Sequence, residues 1–494
     1  MKRILKAACL MLAAITVLLS AACGDSYQDA IIYFELPEKP YTLDPQTAST
    51  DSELAIVANI FEGLLCKNES GAIVGGASKS FDYSNLTYTF KLREDIVWSN
   101  EEPLTAEDFV FAFRRAVSPE TKAPFASRLF PIENAREIYE GKKGAETLGV
   151  SAPDSTTFII KLSYEDEGFE EALTTSVAMP CNEEFFIESA GKYGLAAEHT
   201  ISCGSYKLTK WNKESFGIRL YSNSLYTGTF DAKNSAVYIS KSKDKTPIER
   251  LIGNNVDIAF VDSSLTDTAH ENELKTIEYE NICWFLTISS EFSEDMRKSL
   301  AMLVGSQVYA LDLKTGYTPA DSVFPSVIKS DAGSSGMTIY NLEAAKALFT
   351  KEISKLEGKK FPSGVKLYYY DNSVIKPVIT DIVGHWQNNL GAFVNIEAVD
   401  SAEKLKNELK KQTLDMAVFP VRADSSDINE YLSNFGTTAE GKSGAEIQTG
   451  LLKSSNIIPI AFQNTTIAYS PDLSDVFTSF GNGYIDFSFI VKTE

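Results

Sequence analysis

The stretch that decides the fold class is residues 365–398, which reads VKLYYYDNSVIKPVITDIVGHWQNNLGAFVNIEA. Its two ends, Val365–Tyr370 and Val394–Ala398, have the β-branched and aromatic composition of strands. Between them, Ile375–Leu390 carries apolar residues at helical spacing. A strand, a helix and a second strand in this order form a βαβ unit, whose strands lie parallel in one sheet. The stretch therefore predicts an α/β protein with a parallel or mixed sheet.

Strands and helices continue through the rest of the chain. The helix predicted to begin after Thr105 has Asp108 three residues later, which completes a capping box. A β-hairpin is predicted from Gly204–Trp211 and Gly217–Tyr221. The other predicted elements are strands at Ala30–Phe34, Leu86–Leu92 and Phe158–Leu162 and helices at Ser52–Leu64 and Asn341–Phe349.

The N-terminal residues have the pattern of an export signal. Three basic residues in Met1–Lys6 precede an apolar run from Ala7 to Leu19, and small residues lead to Cys23. At about 13 residues the run is shorter than the roughly 20 that a spanning helix needs. We therefore predict a signal peptide of residues 1–22, cleavage before Cys23 and lipidation of that cysteine. A plain secretory signal is the alternative.

The composition limits the classes of partner. The formal charge of −21 becomes −24 when residues 1–22 are removed with Lys2, Arg3 and Lys6. Phosphate binding depends on clustered Lys and Arg, so this acidity argues against nucleic acid. After the signal no run approaches 18 apolar residues, and the expected membrane contact is the lipid alone. We expect an extracytoplasmic protein, lipid-anchored to the cell membrane.

Four cysteines follow Cys23, and they do not have the spacing of metal ligands. The three histidines are scattered, so we expect neither a metal nor another cofactor. In an oxidising compartment Cys181 and Cys203 could form a disulfide that closes a loop of about 22 residues. Two free buried thiols are an equally good interpretation, and the sequence leaves both open.

Catalytic motifs are missing from the sequence. It contains no G-x-S-x-G elbow, no H-E-x-x-H motif and no phosphate-binding loop of the P-loop form. Its paired carboxylates are typical of a solvated acidic surface. We therefore predict that the protein is not an enzyme.

Several separated stretches resemble those of the bacterial extracellular solute-binding proteins of family 5, the oligopeptide-binding lipoproteins of ABC importers. The resemblance covers nearly the whole mature chain. Its first part consists of TLDPQ at Thr42–Gln46, FEGL at Phe61–Leu64, YTFKLR at Tyr88–Arg93, Trp98–Ser99, LTAEDFV at Leu104–Val110 and Arg114–Arg115. Its second part consists of Leu148–Val150, Met179–Pro180, Gly204–Tyr206, Trp211, Asp257–Ala259, Ala344–Lys346 and Leu390–Gly391.

The resemblance implies an α/β fold of the periplasmic-binding-protein-like type II class, in which two lobes close on a cleft and a third domain is inserted. By analogy, lobe I comprises residues 27–47, 150–240 and 465–494. The inserted domain II comprises residues 48–149, and lobe III comprises residues 241–464.

The resemblance also implies ligand-binding residues. In the family an aspartate binds the peptide ammonium group, and Asp424 stands at the matching position. The surrounding stretch departs from the family pattern, with Val421, Ser425 and Ile428 in place of tryptophan, tyrosine and proline. The remaining ligand-binding positions that the resemblance assigns are Phe125, Ser49, Asp51, Gly204, Ser205 and Tyr206.

The implied function is capture of extracellular peptides and their delivery to an ABC permease driven by separate ATPase subunits. We expect a monomer. The segment between Phe435 and Ile457 is shorter than is usual in the family, which bears on the peptide site in lobe III. Alternatives are a family member that binds another solute, such as a nickel complex or haem, and a surface lipoprotein that has lost transport.

Overall fold

A computed structural model describes residues 30–212, 216–305, 313–370, 374–399, 405, 414–439, 441–479 and 484–493. The predicted signal peptide and Cys23 lie outside this part of the chain. Among the described residues, no helix combines the length and the apolar character needed to cross a membrane.

The chain divides into two compact units. Unit 1 contains the described residues within 30–244, 254–258 and 470–493. Unit 2 contains Lys245–Gly253 and Ala259–Tyr469. Residues 48–149, the expected inserted domain, fall within unit 1, and the division into three parts stays a prediction.

One sheet of unit 1 begins with the first described strand, Ile31–Glu35, which pairs in parallel with Ala236–Ser240. That strand pairs with Gly217–Ser222, which in turn pairs with Tyr206–Asn212, both antiparallel. The last pair is the predicted hairpin, which is confirmed. Alternate side chains point inward, and the ring of buried Phe34 packs edge-on against Phe487 at 5.3 Å.

A second sheet of unit 1 has four antiparallel strands in the order Ser78–Ser84, Thr87–Leu92, Thr157–Lys161, Val150–Asp154. The helix Ala106–Val117 contributes Phe109 and Phe113, whose rings lie 5.7 and 5.3 Å from that of Phe158. The predicted capping box is confirmed, because the Thr105 amide donates to Asp108 Oδ2 over 2.8 Å. The cap fixes where this helix starts.

The first long helix is shorter than its apolar pattern predicts. It spans Asp51–Ile60 with Thr50 as its N-cap, whereas the pattern runs to Leu64. Phe61 takes an extended backbone conformation while its amide still bonds to the Val57 carbonyl over 3.0 Å. Phe61 and Leu64 are buried beyond the helix end, and periodicity alone does not distinguish such buried non-helical chain from helix.

Unit 2 contains the βαβ unit predicted from residues 365–398. Lys366–Tyr370 pairs in parallel with Asn395–Val399, and the helix Ile375–Leu390 connects them. Gly391 ends the helix in the left-handed region, with φ of 71°. The sheet continues from Lys366–Tyr370 through Met416–Arg422, Lys275–Ile288, Ile457–Tyr469 and Ile258–Val261, and Tyr317–Pro319 also pairs with Ile457–Tyr469.

Shorter elements complete the two units. In unit 1 they are the strands Leu65–Lys67, Ile73–Gly75, Leu473–Ser474, Phe477–Ser479, Tyr484–Asp486 and Val491–Lys492, the α-helices Ala135–Tyr139, Phe169–Ala172 and Glu183–Glu188, and the 3-10 helices Ala126–Leu129, Ala145–Thr147, Ser176–Ala178, Ala197–His199 and Phe487–Phe489. In unit 2 they are the α-helices Pro247–Ile252, Thr266–Glu271, Glu294–Ala301, Leu342–Ile353, Ile428–Ser433 and Gly444–Leu452 and the 3-10 helices Ser263–Leu265 and Glu357–Lys359.

Candidate functional site

Unit 1 encloses a cavity of about 70 Å³ beside the end of the helix Asp51–Ile60. Gly204 and Ser205 line it, together with Glu62, Tyr226 and Asp486. Apolar side chains form much of the remaining wall. A cavity of this size holds a few water molecules or one small group rather than a peptide.

Glu62 is the most heavily engaged polar residue at this cavity. Its Oε2 lies 2.6 Å from Arg93 Nη2, and the Tyr226 hydroxyl donates to its Oε1 over 2.8 Å. Burial raises the pKa of Glu62, and the Arg93 charge partly offsets that rise. The FEGL and YTFKLR stretches are therefore joined by a buried ion pair that the sequence analysis did not foresee, although a charged residue inside each apolar motif was the available signal.

A second buried ion pair joins two other motifs. The guanidinium of Arg115 contacts both carboxylate oxygens of Asp44, and its Nη1 also donates to Gln46 Oε1 over 2.7 Å. The guanidinium lies over the Phe186 ring, 4.4 Å from the ring centre. Planar, two-pronged pairing with a carboxylate is the geometry that arginine favours over lysine. This pair gives the TLDPQ and Arg114–Arg115 motifs a shared structural role in unit 1.

The turn before the predicted hairpin packs directly on the end of the first helix. The amides of Cys203 and Gly204 both donate to the Ile60 carbonyl over 3.0 Å. A Cβ atom on Gly204 would lie 2.8 Å from the Asn59 carbonyl oxygen and 2.9 Å from the Phe61 nitrogen. Only glycine allows this approach, because both contacts are with backbone.

Gly204 and Ser205, which were predicted to bind ligand, thus line the cavity of unit 1, whereas Tyr206 does not. Tyr206 is fully buried, and its hydroxyl oxygen lies 2.9 Å from Asn234 Oδ1 and 3.0 Å from the Phe487 carbonyl oxygen, so that its one proton is shared between two acceptors. These contacts assign its side chain to the packing of unit 1. A ligand role for the three residues stays a prediction.

Ser49, Asp51 and Phe125 lie outside the lining of this cavity. Asp51 is the first residue of its helix, and the Ser49 amide donates to Glu53 Oε2 over 2.9 Å. Phe125 is buried, and the Arg128 guanidinium lies 4.3 Å from its ring centre. Each has local structural contacts, and its ligand role stays a prediction.

Asp424 lies in unit 2, just after the strand Met416–Arg422. Its Oδ1 accepts from Arg422 Nε over 2.6 Å, and both side chains are about one-third exposed. The next residue, Ser425, donates its hydroxyl to Glu430 Oε2 over 2.7 Å. The predicted ammonium anchor therefore already has a cationic neighbour. The i, i+2 spacing of Arg422 and Asp424 was the available signal, since such residues share a face of extended chain.

In the structure Cys181 and Cys203 are both free thiols, and the choice between a disulfide and two thiols stays a prediction. Arg115 Nη1 lies 3.8 Å from Cys181 Sγ, whereas Cys203 Sγ accepts from the Glu62 amide over 3.4 Å. The two thiols belong to different polar clusters. Burial raises the pKa of Cys181 to about 12 and also raises that of Cys203. Both are therefore protonated, weakly reactive thiols at neutral pH.

Within the described ranges, no group of three or more His, Cys, Asp or Glu side chains is arranged to hold a metal ion. In the two buried clusters of unit 1, the carboxylates of Glu62 and Asp44 are instead neutralised by Arg93 and Arg115. Their chemistry is that of neutralised, hydrogen-bonded structural pairs.

Comparison with known proteins relates these motifs to a family. The family model for bacterial extracellular solute-binding proteins, family 5, middle region, matches residues 76–443. The periplasmic oligopeptide-binding protein OppA of Haemophilus influenzae is 26% identical over 412 residues, which are 76% of this chain and 71% of that protein. The dipeptide-binding protein of Lactococcus lactis is 24% identical over 86% of this chain and 82% of its own length. The probable deoxycholate-binding periplasmic protein YgiS of Escherichia coli is 26% identical over 73% of this chain and 70% of its own length.

Solved structures show the same fold. Listeria monocytogenes OppA bound to peptide superposes with a TM-score of 0.74 at 20% identity, over 94% of this chain and 99% of that one. Haemophilus influenzae OppA in complex with RPPGFSPFR superposes with a TM-score of 0.75 at 21% identity, also over 94% of this chain and 99% of that one. The fold is therefore the α/β fold of type II periplasmic binding proteins, as the sequence resemblance implied.

Proposed function

This chain belongs to the bacterial extracellular solute-binding proteins of family 5, and from that membership we propose that it captures peptides outside the cytoplasm for an ABC importer. The observation that carries the proposal is the family match over residues 76–443, joined to relatives whose names specify oligopeptides and dipeptides. Proteins of this family bind solutes, and we propose that the peptide leaves this chain chemically unchanged.

Asp424 is the residue that we propose for the peptide ammonium group. It is partly exposed just after the end of a strand. The backbone of the preceding residue is fixed, because the Ala423 amide donates to the Asn281 carbonyl over 2.8 Å. A fixed carboxylate that accepts a charge-assisted hydrogen bond from an ammonium group contributes about 1.5 to 3 kcal/mol. Arg422 would have to yield its hydrogen bond to Oδ1 or share the carboxylate with the ligand.

The proposal includes membrane attachment through lipidated Cys23 and delivery of the peptide to a permease with separate ATPase subunits. Two acyl chains make such an anchor stable, whereas one gives only marginal binding. The tether keeps the receptor near its permease and raises the effective concentration of one for the other.

The deciding experiment is native mass spectrometry of the protein purified from its own cells. Peptide masses that leave on collisional activation support the proposal, and titration calorimetry with the identified peptide then gives its affinity. A co-purifying bile acid, haem or nickel complex would replace peptide as the solute class. Protein without a co-purifying mass, and without binding to a mixed library of di- to nonapeptides, would contradict capture of peptides.

A further inference from the structure

One face of the first sheet in unit 1 carries exposed tyrosines and cations together. The face is formed by side chains from four neighbouring strands, and we call it the tyrosine–arginine face. The strand register places Tyr33 opposite Tyr238, Tyr238 opposite Arg219, and Arg219 opposite Lys210, while Tyr221 lies opposite Lys207. Residues that lie opposite each other point to the same side of a sheet. The face therefore consists of Tyr33, Tyr221, Tyr238, Arg219, Lys207 and Lys210.

The tyrosines form one connected aromatic surface. The ring of Tyr238 lies 5.7 Å from that of Tyr33 and 6.1 Å from that of Tyr221, with both pairs edge-on. The Tyr221 and Tyr238 hydroxyl oxygens are 2.9 Å apart, and the Arg219 guanidinium lies 4.5 Å from the Tyr238 ring centre. Tyr33 is 40% exposed and Tyr221 is 36% exposed. The tyrosine rings are therefore partly open to solvent, and the hydroxyls of Tyr221 and Tyr238 lie side by side.

The charge of this face is opposite to that of the protein. The chain has 67 Asp and Glu against 46 Lys and Arg, yet these four strands contain a single carboxylate, Glu35, which is buried. Lys207, Lys210 and Arg219 make no ion pair with any residue that the structure describes. At the border, Lys492 lies over the Tyr33 ring and is neutralised by Asp257 at 2.8 Å. Among the described residues, therefore, no carboxylate pairs with these three cations.

Blocking of the sheet edge explains only part of this pattern. Lysines on an edge strand discourage pairing with another sheet, and Lys207 and Lys210 lie on Tyr206–Asn212, the last strand in the sheet order. Arg219 and the tyrosines lie on inner strands, where no edge needs protection. A surface that attracts an anionic, partly apolar partner accounts for all six residues.

The lipid anchor of the proposed function places one such partner within reach. Seven residues separate Cys23 from Ile31, where the first strand of this face begins, and the chain between the two Cα atoms spans at most about 28 Å when fully extended. Tyrosine and tryptophan collect at membrane interfaces, and Lys and Arg are attracted to anionic headgroups. Salt screens this attraction beyond roughly 8 Å at physiological ionic strength, so only the side chains that face the bilayer interact with the headgroups.

We propose that the tyrosine–arginine face rests on the anionic headgroups of the membrane that holds the anchor. The inference rests on the lipid anchor of the proposed function and adds an orientation to it. The acidic remainder of the surface is repelled by the same headgroups, which favours the orientation further. Tethering makes a contact of three cations sufficient, because the contact has only to orient a protein that is already held at the surface.

The test is amine footprinting of the lipidated protein reconstituted in vesicles. Acetylation of Lys207 and Lys210 is measured on phosphatidylglycerol and on phosphatidylcholine vesicles, with the exposed Lys359, Lys360 and Lys376 of unit 2 as internal controls. We expect acetylation of Lys207 and Lys210 to slow at least threefold on phosphatidylglycerol alone, while the three control lysines stay within twofold. Arg219→Gln should restore much of the Lys207 and Lys210 rates.

Equal acetylation rates of Lys207 and Lys210 on both kinds of vesicle overturn the proposal. Slowing of their acetylation only after the permease is added also overturns it, because that result assigns the face to an acidic protein partner. A mature chain without lipid on Cys23 also overturns it, because the tether is its premise. Titration with peptide in the same samples tests the proposed function separately. Peptide binding without protection rejects only the membrane contact.

Discussion

Arg115 and Asp44 form a buried, two-pronged ion pair across 71 residues of sequence. Their side chains are only 10% and 6% exposed, and each belongs to a motif that carries the sequence resemblance to the family. The Leu43 amide also donates to the Gly194 carbonyl over 2.7 Å, so the backbone beside Asp44 is fixed as well. The motif residues of this region thus hold unit 1 together.

Replacing one partner of this pair should destabilise the protein strongly. In Asp44→Asn the guanidinium of Arg115 loses its compensating charge while staying buried, and such losses cost about 3 to 5 kcal/mol. Urea unfolding followed by tryptophan fluorescence should show the change. Glu140→Gln, which removes a pair with Lys142 on the exposed surface, is the control, with an expected change within about 0.5 kcal/mol. Equal effects of the two variants would contradict the structural role.

Gly204→Ala should also destabilise unit 1. The new Cβ would lie 2.8 to 2.9 Å from backbone atoms of Asn59, Ile60 and Phe61, and none of these can move without disturbing the helix end. We expect a loss of about 1 to 3 kcal/mol, typical of overpacking. Gly384→Ala is the matched control, because it lies inside a helix with open space around its Cβ and should stabilise by up to about 1 kcal/mol. Thermal unfolding of both variants measures the contrast.

Asp108 should make stability depend on pH in the mildly acidic range. Burial raises its pKa to about 6, although hydrogen bonds from Thr105 and Trp98 act in the opposite direction. The folded state therefore binds the proton more tightly than the unfolded state, and the contribution of Asp108 to stability falls as pH rises from about 4 to about 6 and is constant above. Asp108→Asn should remove this slope. Parallel pH profiles of the unfolding free energy in wild type and variant would show that Asp108 does not titrate there.

Asp424→Asn should weaken the binding of peptides that have a free amino group by about 10- to 150-fold, the equivalent of 1.5 to 3 kcal/mol. N-acetylated forms of the same peptides have no ammonium group, so their affinity should change little. Titration calorimetry on both peptide forms measures the difference. Unchanged affinity for the free-amino peptide would remove Asp424 from the site while leaving the capture of peptides standing.

Cys23→Ser should release the protein from the membrane fraction. Without the thiol no thioether-linked glyceride can form, and the remaining chain is strongly acidic. Fractionation with immunoblotting measures the distribution, and the intact mass of the wild-type mature chain reports the lipid directly. Wild-type protein that begins elsewhere and carries no lipid would favour the plain secretory signal.

Local patterns in the sequence were sufficient for much of the fold. The βαβ unit of residues 365–398, the capping box at Thr105 and the hairpin after Gly204 were all predicted and are all present. Each depends on residues close in sequence, whose periodicity or hydrogen bonding is fixed by backbone geometry. The first helix was predicted to end four residues too late, because Phe61 and Leu64 continue the helical spacing of the apolar residues although Phe61 is extended.

The candidate site was less accessible from sequence. The motif residues were identified, but the partners of Asp44 and Glu62 were not, and neither was the contact of Arg422 with Asp424. Charged residues in a motif do not indicate which distant charge will compensate them.

The sequence by itself determined the type and order of the main elements, because these follow from residue spacing along a backbone with few allowed conformations. Tertiary structure alone decided which charges are buried together, that Cys181 and Cys203 lie in different polar clusters, and that tyrosines and cations of four strands share one face. Those outcomes depend on groups that are far apart in sequence and meet only after the chain has folded, where burial makes an unpaired charge costly and pairing decisive.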